Sequence, residues 1–351
     1  MKSKATSFDI AHMAGVSQST VSRALSDSPL VNPITREKIK QIAKDLNYKV
    51  DKNASNLRKQ QSKTLALLLF EDPTADDSSI NPFFISMLAS ITKATAAAGY
   101  DLLVSFQNLN DDWHAVYEDS NKADGLILLG YGSYTDYEYK LSQLEEQETR
   151  FLRWGAPDEN HPGISIGSDN FQGGKIITEH LLTLGRRNFA FIGEAGDGAP
   201  ELKARYLGAV KAISNFQLDS NEQAQMIGQV DAISTELDGY QAATTLLHSI
   251  DDNVKLDAIF CASDLMAIGA IRAIKEQGYD VPKDIAVVGY DNIQVSGFSN
   301  PPLTTVQQNA ALAGKLLVDN LLKLIHNEPV DDVLMQPELI IRQSCGNEIK
   351  E

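Results

Sequence analysis

Only two cysteines, Cys261 and Cys345, occur in 351 residues, and they form no Cys-x-x-Cys pair. That excludes a disulfide scaffold and a thiolate zinc site, and a reducing, cytoplasmic setting is the expectation, with both thiols in the core. The six histidines are scattered without a His-Glu-x-x-His, and no Gly-Lys-Ser/Thr loop is present. Metal hydrolysis and P-loop nucleotide chemistry therefore have no seat, and no cofactor, metal or catalytic residue is expected. Apolar runs such as Leu65 to Phe70 are far shorter than the roughly 20 residues a membrane-spanning helix needs. At the N-terminus, Asp9 and His12 fall where the apolar segment of a secretory signal would lie, so none is expected. With 43% hydrophobic and 22% charged residues, what remains is a globular chain long enough for two or three domains.

Positive charge is scarce overall, at a formal net charge of −16, yet it is concentrated at one end. Residues 1–63 hold 12 Lys and Arg against 5 Asp and Glu, leaving 19 against 42 for the rest. A basic head precedes an acidic body. Phosphate binding needs a positive face, so the head is where a nucleic-acid partner would dock; a merely solvated basic arm is the other reading that charge alone leaves open.

The pattern within the head decides between them. "SFDIAHMAG" places Phe8, Ile10, Ala11 and Ala14 on one helical face and ends at Gly15, a natural helix stop. Ser17 suits a helix N-cap, and "QSTVSRAL" then turns Val21, Ala24 and Leu25 inward and Gln18, Ser19, Ser22 and Arg23 outward. Two helices joined by a tight glycine turn form a helix-turn-helix, whose second helix enters the major groove. Gln can read adenine and Arg guanine in paired hydrogen bonds, while Ser and Thr serve bases or phosphates. A third amphipathic segment, Thr35 to Tyr48, carries Ile39, Ile42, Ala43 and Leu46 and would close a three-helix core.

"DIAHMAGVSQSTVSRAL", "TREKIKQIAKDLNY" and "NASNLRKQQSKTLALLL" together resemble the DNA-binding head, hinge and first core strand of the lactose/galactose repressor family of bacterial transcription regulators. The resemblance implies that Gln18 and Ser19 discriminate operators and that Arg23 contacts a base. Thr6, Ser17, Thr20, Ser22, Asn32 and Tyr48 complete the DNA-contacting set expected of the head. It also implies a hinge helix over Asn53, Ala54, Ser55, Leu57 and Arg58, with Leu57 as the wedge that opens a base step in the minor groove. Val50 stands where the family usually has proline, and Asn53 and Ser55 are polar, so this hinge should fold less readily without DNA.

From Lys63 onward, short apolar runs alternate with amphipathic segments, and the pattern repeats after Asp169. Such alternation builds parallel sheets covered by helices on both faces, with pocket residues at the C-terminal ends of the strands. "NPFF" (81–84), "SDN" (168–170), "RYLG" (205–208), "ASDLMAIGA" (262–270), "VVGYDN" (287–292) and "PPLTTVQQ" (301–308) carry the resemblance almost to the C-terminus.

The expected fold class is thus an N-terminal all-α helix-turn-helix domain plus an α/β periplasmic-binding-protein-like core of two doubly wound parallel-sheet subdomains. The expected domains are a head at 1–50, a hinge at 51–62 and a core at 63–351. Within the core, a first subdomain is expected at about 63–162 and 297–328 and a second at about 163–296 and 329–346, joined by three crossovers.

By the resemblance, Arg205 forks onto ligand hydroxyls and Asp291 accepts from them, an arrangement that suits the vicinal diols of a sugar. Phe83, Phe84 and Trp154 are candidates to stack on ring faces, core packing being the alternative for the two phenylalanines; for Arg205 the alternative is a structural ion pair. Asn81, Arg153, Ser263 and Gln308 complete the expected pocket. Ser263 and Ala310 depart from residues that sugar-responsive members carry, so the effector's identity does not transfer. The partners implied are palindromic operator DNA, a small sugar such as a glucoside and a second copy of the chain, as dimer or tetramer. A purine or nucleoside effector, a corepressor mode and a non-regulatory sugar-binding protein are the alternatives.

Overall fold

Thr6 opens the first helix, α1 (Ser7–Ala14), with a reciprocal cap: its hydroxyl accepts from Asp9 N–H while the Asp9 carboxylate accepts from Thr6 N–H at 2.7 Å. Gly15 ends α1 in the left-handed conformation, φ 73°, where a Cβ would be strained. Ser17 then caps α2 (Gln18–Leu25), and Asn32 caps α3 (Pro33–Asp45), accepting from Ile34 N–H at 2.9 Å. The third helix thus starts two residues before the expected Thr35, because Pro33 is preorganised for the first helical position. Ile10, Ala11, Ala14, Val21, Ala24, Val31, Ile39 and Ala43 form the core of this head. Phe8, expected to face it, is 68% exposed instead. Helical side chains lean toward the N-terminus, so a ring in the first turn of α1 projects past the end of so short a core.

The computed structural model describes residues 5–48, 61–70, 80–130, 134–157, 162–220, 223–250 and 254–346. The chain divides into two compact units, Met1–Ser62 and Lys63–Glu351. In the second unit, strands and helices alternate as β1 (Thr64–Leu69), α4 (Pro82–Ala97), β2 (Asp101–Phe106), β3 (Leu126–Leu129), α5 (Tyr134–Glu146), β4 (Phe151–Trp154) and β5 (Ile164–Ser168). The series continues with α6 (Asn170–Thr183), β6 (Asn188–Ile192), α7 (Pro200–Ser220), β7 (Gln225–Val230), α8 (Glu236–Ser249), β8 (Ala258–Cys261), α9 (Asp264–Glu276) and β9 (Ala286–Asp291). It closes with β10 (Thr304–Gln307), α10 (Ala310–Ile325), β11 (Val333–Met335) and β12 (Glu338–Ile340). Between β2 and β3, where the sequence suggests a polar helix, there is a short π-helical turn at Ala115–Asp119 that buries Tyr117 beside Trp113.

The strands form two six-stranded sheets, ordered β11-β5-β4-β3-β1-β2 and β12-β10-β9-β8-β6-β7. All pairings are parallel except that of β12 with β10. In the first sheet Leu65, Leu67 and Leu69 face Met87 and Ile91 of α4 and Leu317 and Leu321 of α10, while Ala66 and Leu68 face Tyr137 and Leu141 of α5. This alternation follows from the two-residue period of a strand covered on both faces, each buried leucine contributing about 1.5–3 kcal/mol. Cys261 and Cys345 are both buried in the second subdomain.

Sheet membership corrects the expected subdomain limits. β5 and β11 belong to the first sheet and β10 to the second, so the chain crosses between Ser168 and Asn170, between Gln307 and Ala310, and between Met335 and Glu338. The strands before these crossings are three to five residues long, and β5 and β10 end in the polar Ser168 and Gln307. An apolar run therefore does not mark where each ladder finishes.

Candidate functional site

In the head, Ser19, Ser22 and Arg23 lie exposed along α2. Ser17 Oγ caps the helix through Thr20 N–H and pairs with the Ser19 and Thr20 hydroxyls at 2.8 and 2.9 Å, which orders the N-terminal turn of α2. Gln18, expected to face fully outward, is half-buried, and its amide donates to Ser7 Oγ of α1 at 2.8 Å. The bond locks the angle between the two helices, and the Gln18 amide must exchange it to read a base. Thr6 and Asn32 are helix caps, and Tyr48 packs half-buried against the three-helix core, its N–H donating to Ala43 O at 2.8 Å. Thr6 and Asn32 thus sit at helix N-termini, and Tyr48 just past the C-terminus of α3. Asn53, Ala54, Ser55, Leu57 and Arg58 lie outside the described residues.

In the core, the strand order in each sheet reverses beside its first strand, and binding residues of such sheets gather beyond the strand C-termini. Arg205, on α7, is buried there. Its Nε donates to Asn170 Oδ1 at 2.9 Å and its Nη1 to the Ala262 carbonyl at 2.5 Å, while Nη2 lies 3.8 Å from Asp291 Oδ1. The remaining Asp291 partner is Gln308, whose amide donates to Oδ1 at 2.7 Å. Burial pushes the Asp291 carboxyl up to about 6, against the opposing pull of Arg205 and Gln308. Asp291 and Asn292 both take positive φ, 106° and 54°. Two such non-glycine residues in succession cost on the order of 1–3 kcal/mol each, strain that clusters where function fixes a side chain's aim.

Two hollows flank this group. One, of about 210 Å³, is lined by Phe83, Ser86, Asp291, Asn292, Gln308 and Asn309 among others. The other, of about 290 Å³, is lined by Arg153, Asp169, Asn170, Phe171, Glu201 and Leu334 among others. Asn170 borders the second and Asp291 the first, so the Arg205 guanidinium bridges their walls. In the second hollow, burial raises the Glu201 carboxyl to about 7, partly offset by Arg205. Neutral amide groups, a fixed guanidinium fork and carboxylates converging on small cavities form a site for hydrogen bonding.

Of the expected pocket residues, Phe83, Asp291 and Gln308 line the first hollow and Arg153 the second. Asn81, Phe84, Trp154, Arg205 and Ser263 line neither. Phe83 and Trp154 are each 5% exposed and sit in the core of the first subdomain, with ring centroids 5.8 Å apart. Trp154 is thus committed to packing, while Phe83 both packs in that core and borders the first hollow. Phe84 packs at the edge of the same core. Asn81 caps α4 through Phe83 N–H, and Ser263 caps α9 through Met266 N–H, each oxygen taken up by a helix end. Sequence reasoning left out Ser86, Asp169, Asn170, Glu201, Asn292 and Gln307. Asp169 and Asn170 lie within "SDN", Asn292 within "VVGYDN" and Gln307 within "PPLTTVQQ", so the motifs held a signal; Ser86 and Glu201 had none.

The profile described as "Bacterial regulatory proteins, lacI family" matches residues 8–51, and that described as "Periplasmic binding protein-like domain" matches residues 178–345. The HTH-type transcriptional repressor PurR of Histophilus somni (strain 129Pt) is 32% identical, over 97% of this chain and 98% of its own. The repressor of the same name from Pasteurella multocida (strain Pm70) is 31% identical, over 98% of this chain and 100% of its own. Among solved structures, the lac repressor dimer bound to operator and the anti-inducer ONPF matches with a TM-score of 0.82 at 26% identity, covering 98% of this chain and 99% of that one. A complex of the transcriptional regulator CelR with cellobiose matches with a TM-score of 0.69 at 26% identity, covering 97% and 99%.

Proposed function

Because this chain belongs to the lacI family of bacterial regulatory proteins and is a DNA-binding transcriptional repressor rather than an enzyme, we propose that it controls carbohydrate-utilisation genes and leaves its operator when a small sugar enters the core. The carrying observation is the buried constellation of Arg205, Asn170, Asp291 and Gln308 between two hollows. A planar donor fork beside amide and carboxylate acceptors matches adjacent hydroxyls, which both donate and accept.

On this reading the protein works in the cytoplasm as a homodimer, each head reading one half-site of a palindromic operator. Ser19, Ser22 and Arg23 face base edges, and Leu57 of the hinge wedges the central step. The sugar binds the two arrangements of the core subdomains with unequal affinity, and only that difference drives release. The usual coupling of about 1–3 kcal/mol corresponds to a change of roughly 5- to 150-fold in operator affinity. The CelR–cellobiose neighbour supports a saccharide in such a core. The identity to repressors named PurR favours a second reading, a regulator that responds to a purine or nucleoside.

Fluorescence anisotropy on DNA from upstream of the protein's own gene, at fixed salt, separates these readings. Release by one mono- or disaccharide is expected. Binding strengthened by a purine would replace the sugar with a corepressor, and the absence of any sequence-specific binding would overturn the operator reading.

A further inference from the structure

We infer that Asp264, together with Thr305 and Arg342, is a positioning residue for the effector site, holding the Asp291–Asn292 corner in the strained conformation that aims the Asp291 carboxylate at Arg205. The inference builds on the reading of that site as the effector pocket. Asp264 is 0% exposed and lines neither hollow, so it has no route to a ligand of its own. Its two oxygens are both occupied. Oδ2 accepts from the backbone N–H of Ile293 at 2.8 Å, and Oδ1 accepts from the Thr305 hydroxyl at 2.5 Å. Ile293 follows directly on Asp291 and Asn292, whose φ values are 106° and 54°, so the carboxylate grips the chain at the exit of the strained pair.

Asn292, the middle residue, is clamped from both sides. Its side-chain Oδ1 accepts from Arg342 Nη2 at 2.6 Å, and its side-chain Nδ2 donates to Gln307 Oε1 at 2.6 Å. Gln307 ends β10, and the next residue, Gln308, donates to Asp291 itself. The network therefore closes a ring from Asp264 through Thr305 and β10 back to the ligand carboxylate.

Two further observations fit a purpose-built contact. A Cβ on Gly289 would lie 2.3 Å from Asp264 Oδ1, so the close approach of this carboxylate to β9 requires glycine there. Ile293, gripped by Asp264, lies in the core of the first subdomain, and Leu265, next to Asp264, packs half-buried against that core, although Asp264 begins a helix of the second. The corner is thus a joint between the subdomains. A change at Asp291 is felt where one subdomain is planted in the other.

An acidic residue in the first turn of α9 could instead serve only that helix, by charge. The isosteric amide distinguishes the two. Asparagine keeps an oxygen for Ile293 N–H and can donate its amide to the Thr305 hydroxyl, so Asp264→Asn preserves the grip without the charge, whereas Asp264→Ala removes both.

The test is to determine crystal structures of the full-length Asp264→Ala, Asp264→Asn and Thr305→Val proteins and to titrate their operator complexes with glucose and cellobiose. The expected result is that in Asp264→Ala, and in part in Thr305→Val, Asp291 relaxes to negative φ and its carboxylate leaves Gln308, while Asp264→Asn keeps the corner. Where a probe releases the wild-type complex, its midpoint should rise at least tenfold in Asp264→Ala and stay within about threefold in Asp264→Asn. An unaltered corner in Asp264→Ala, or equal collapse in Ala and Asn, would overturn the positioning role. If Asp264→Ala does not fold, the Thr305→Val corner decides. Failure of both sugars on wild-type complexes would count against the saccharide reading alone, because the corner's geometry is read without a ligand.

Discussion

The guanidinium of Arg205 lies 3.7 Å from the centroid of the Tyr290 ring, stacked on the residue that immediately precedes Asp291. Burial pushes the Tyr290 hydroxyl up to about 12, so the ring remains neutral and offers Arg205 a fixed π-face. Stacking, two hydrogen bonds to Asn170 and Ala262, and the nearby Asp291 charge together hold the fork in one pose before any ligand arrives. Lysine could reproduce none of this planarity.

Asp291→Asn should separate stability from response. The folded pKa of about 6 lies above the ordinary 3.8, so the folded state holds a proton that the unfolded chain releases. Stability is therefore undiminished below about pH 4, falls as pH rises to about 6, and stays lower beyond, by up to about 3 kcal/mol. Asparagine keeps an acceptor for Gln308 and removes the buried charge. Thermal melts should show the variant more stable than wild type at pH 8, with the gap closing toward pH 4, and operator release by sugar should be lost. A variant that melts lower at pH 8 and still responds would contradict both parts.

Arg23→Ala should cost about 1–3 kcal/mol of operator binding and relax base choice at one position of each half-site. The residue is exposed in the last turn of α2. Competition with single-base operator variants measures it; an unchanged preference at every position would reject a base contact.

Leu57→Gly should weaken binding to the cognate operator much more than binding to unrelated DNA. A wedge is of use only where the sequence can be unstacked, whereas phosphate contacts are shared by all DNA. Anisotropy on both duplexes at one salt concentration is the measurement, and equal losses on the two would remove the wedge.

Gly208→Ala tests how α7 carries Arg205. A Cβ at Gly208 would lie 2.0 Å from the backbone oxygen of Phe171 on α6, so the helices must part to admit a methyl group. Overpacking of this kind costs about 1–3 kcal/mol. It should also shift Arg205 away from Asn170 and weaken effector response. Denaturant unfolding that matches wild type would show that the helices yield without cost.

Local features were legible from residue order. The glycine stop at Gly15, the Ser17 cap, the inward set of α2 and the strand–helix alternation after Lys63 depend on neighbours a few residues away, and they stand as read. Motif resemblance extended this to Arg205, Asp291 and Gln308, which the fold brings together from positions up to 103 apart in number (205 and 308). β5, β11 and β12 escaped notice because β5, Ile-Ser-Ile-Gly-Ser, is not a continuous apolar run, and β11 and β12 are only three residues each.

The sequence alone thus determined the basic head, its helix-turn-helix, the doubled α/β body and four of the residues that line its two hollows, because charge, caps and period are properties of short stretches of chain. Only the tertiary structure decided which strands cross between sheets, that Phe8 stays in solvent and Trp154 in the core, and that Ser263 spends its hydroxyl on a helix end. It alone set Asp264 against Thr305, 41 residues away, and bent the chain at Asp291. Burial and hydrogen-bond partners depend on the packing of distant segments, and no local pattern encodes which of several similar polar residues will find itself beside the other.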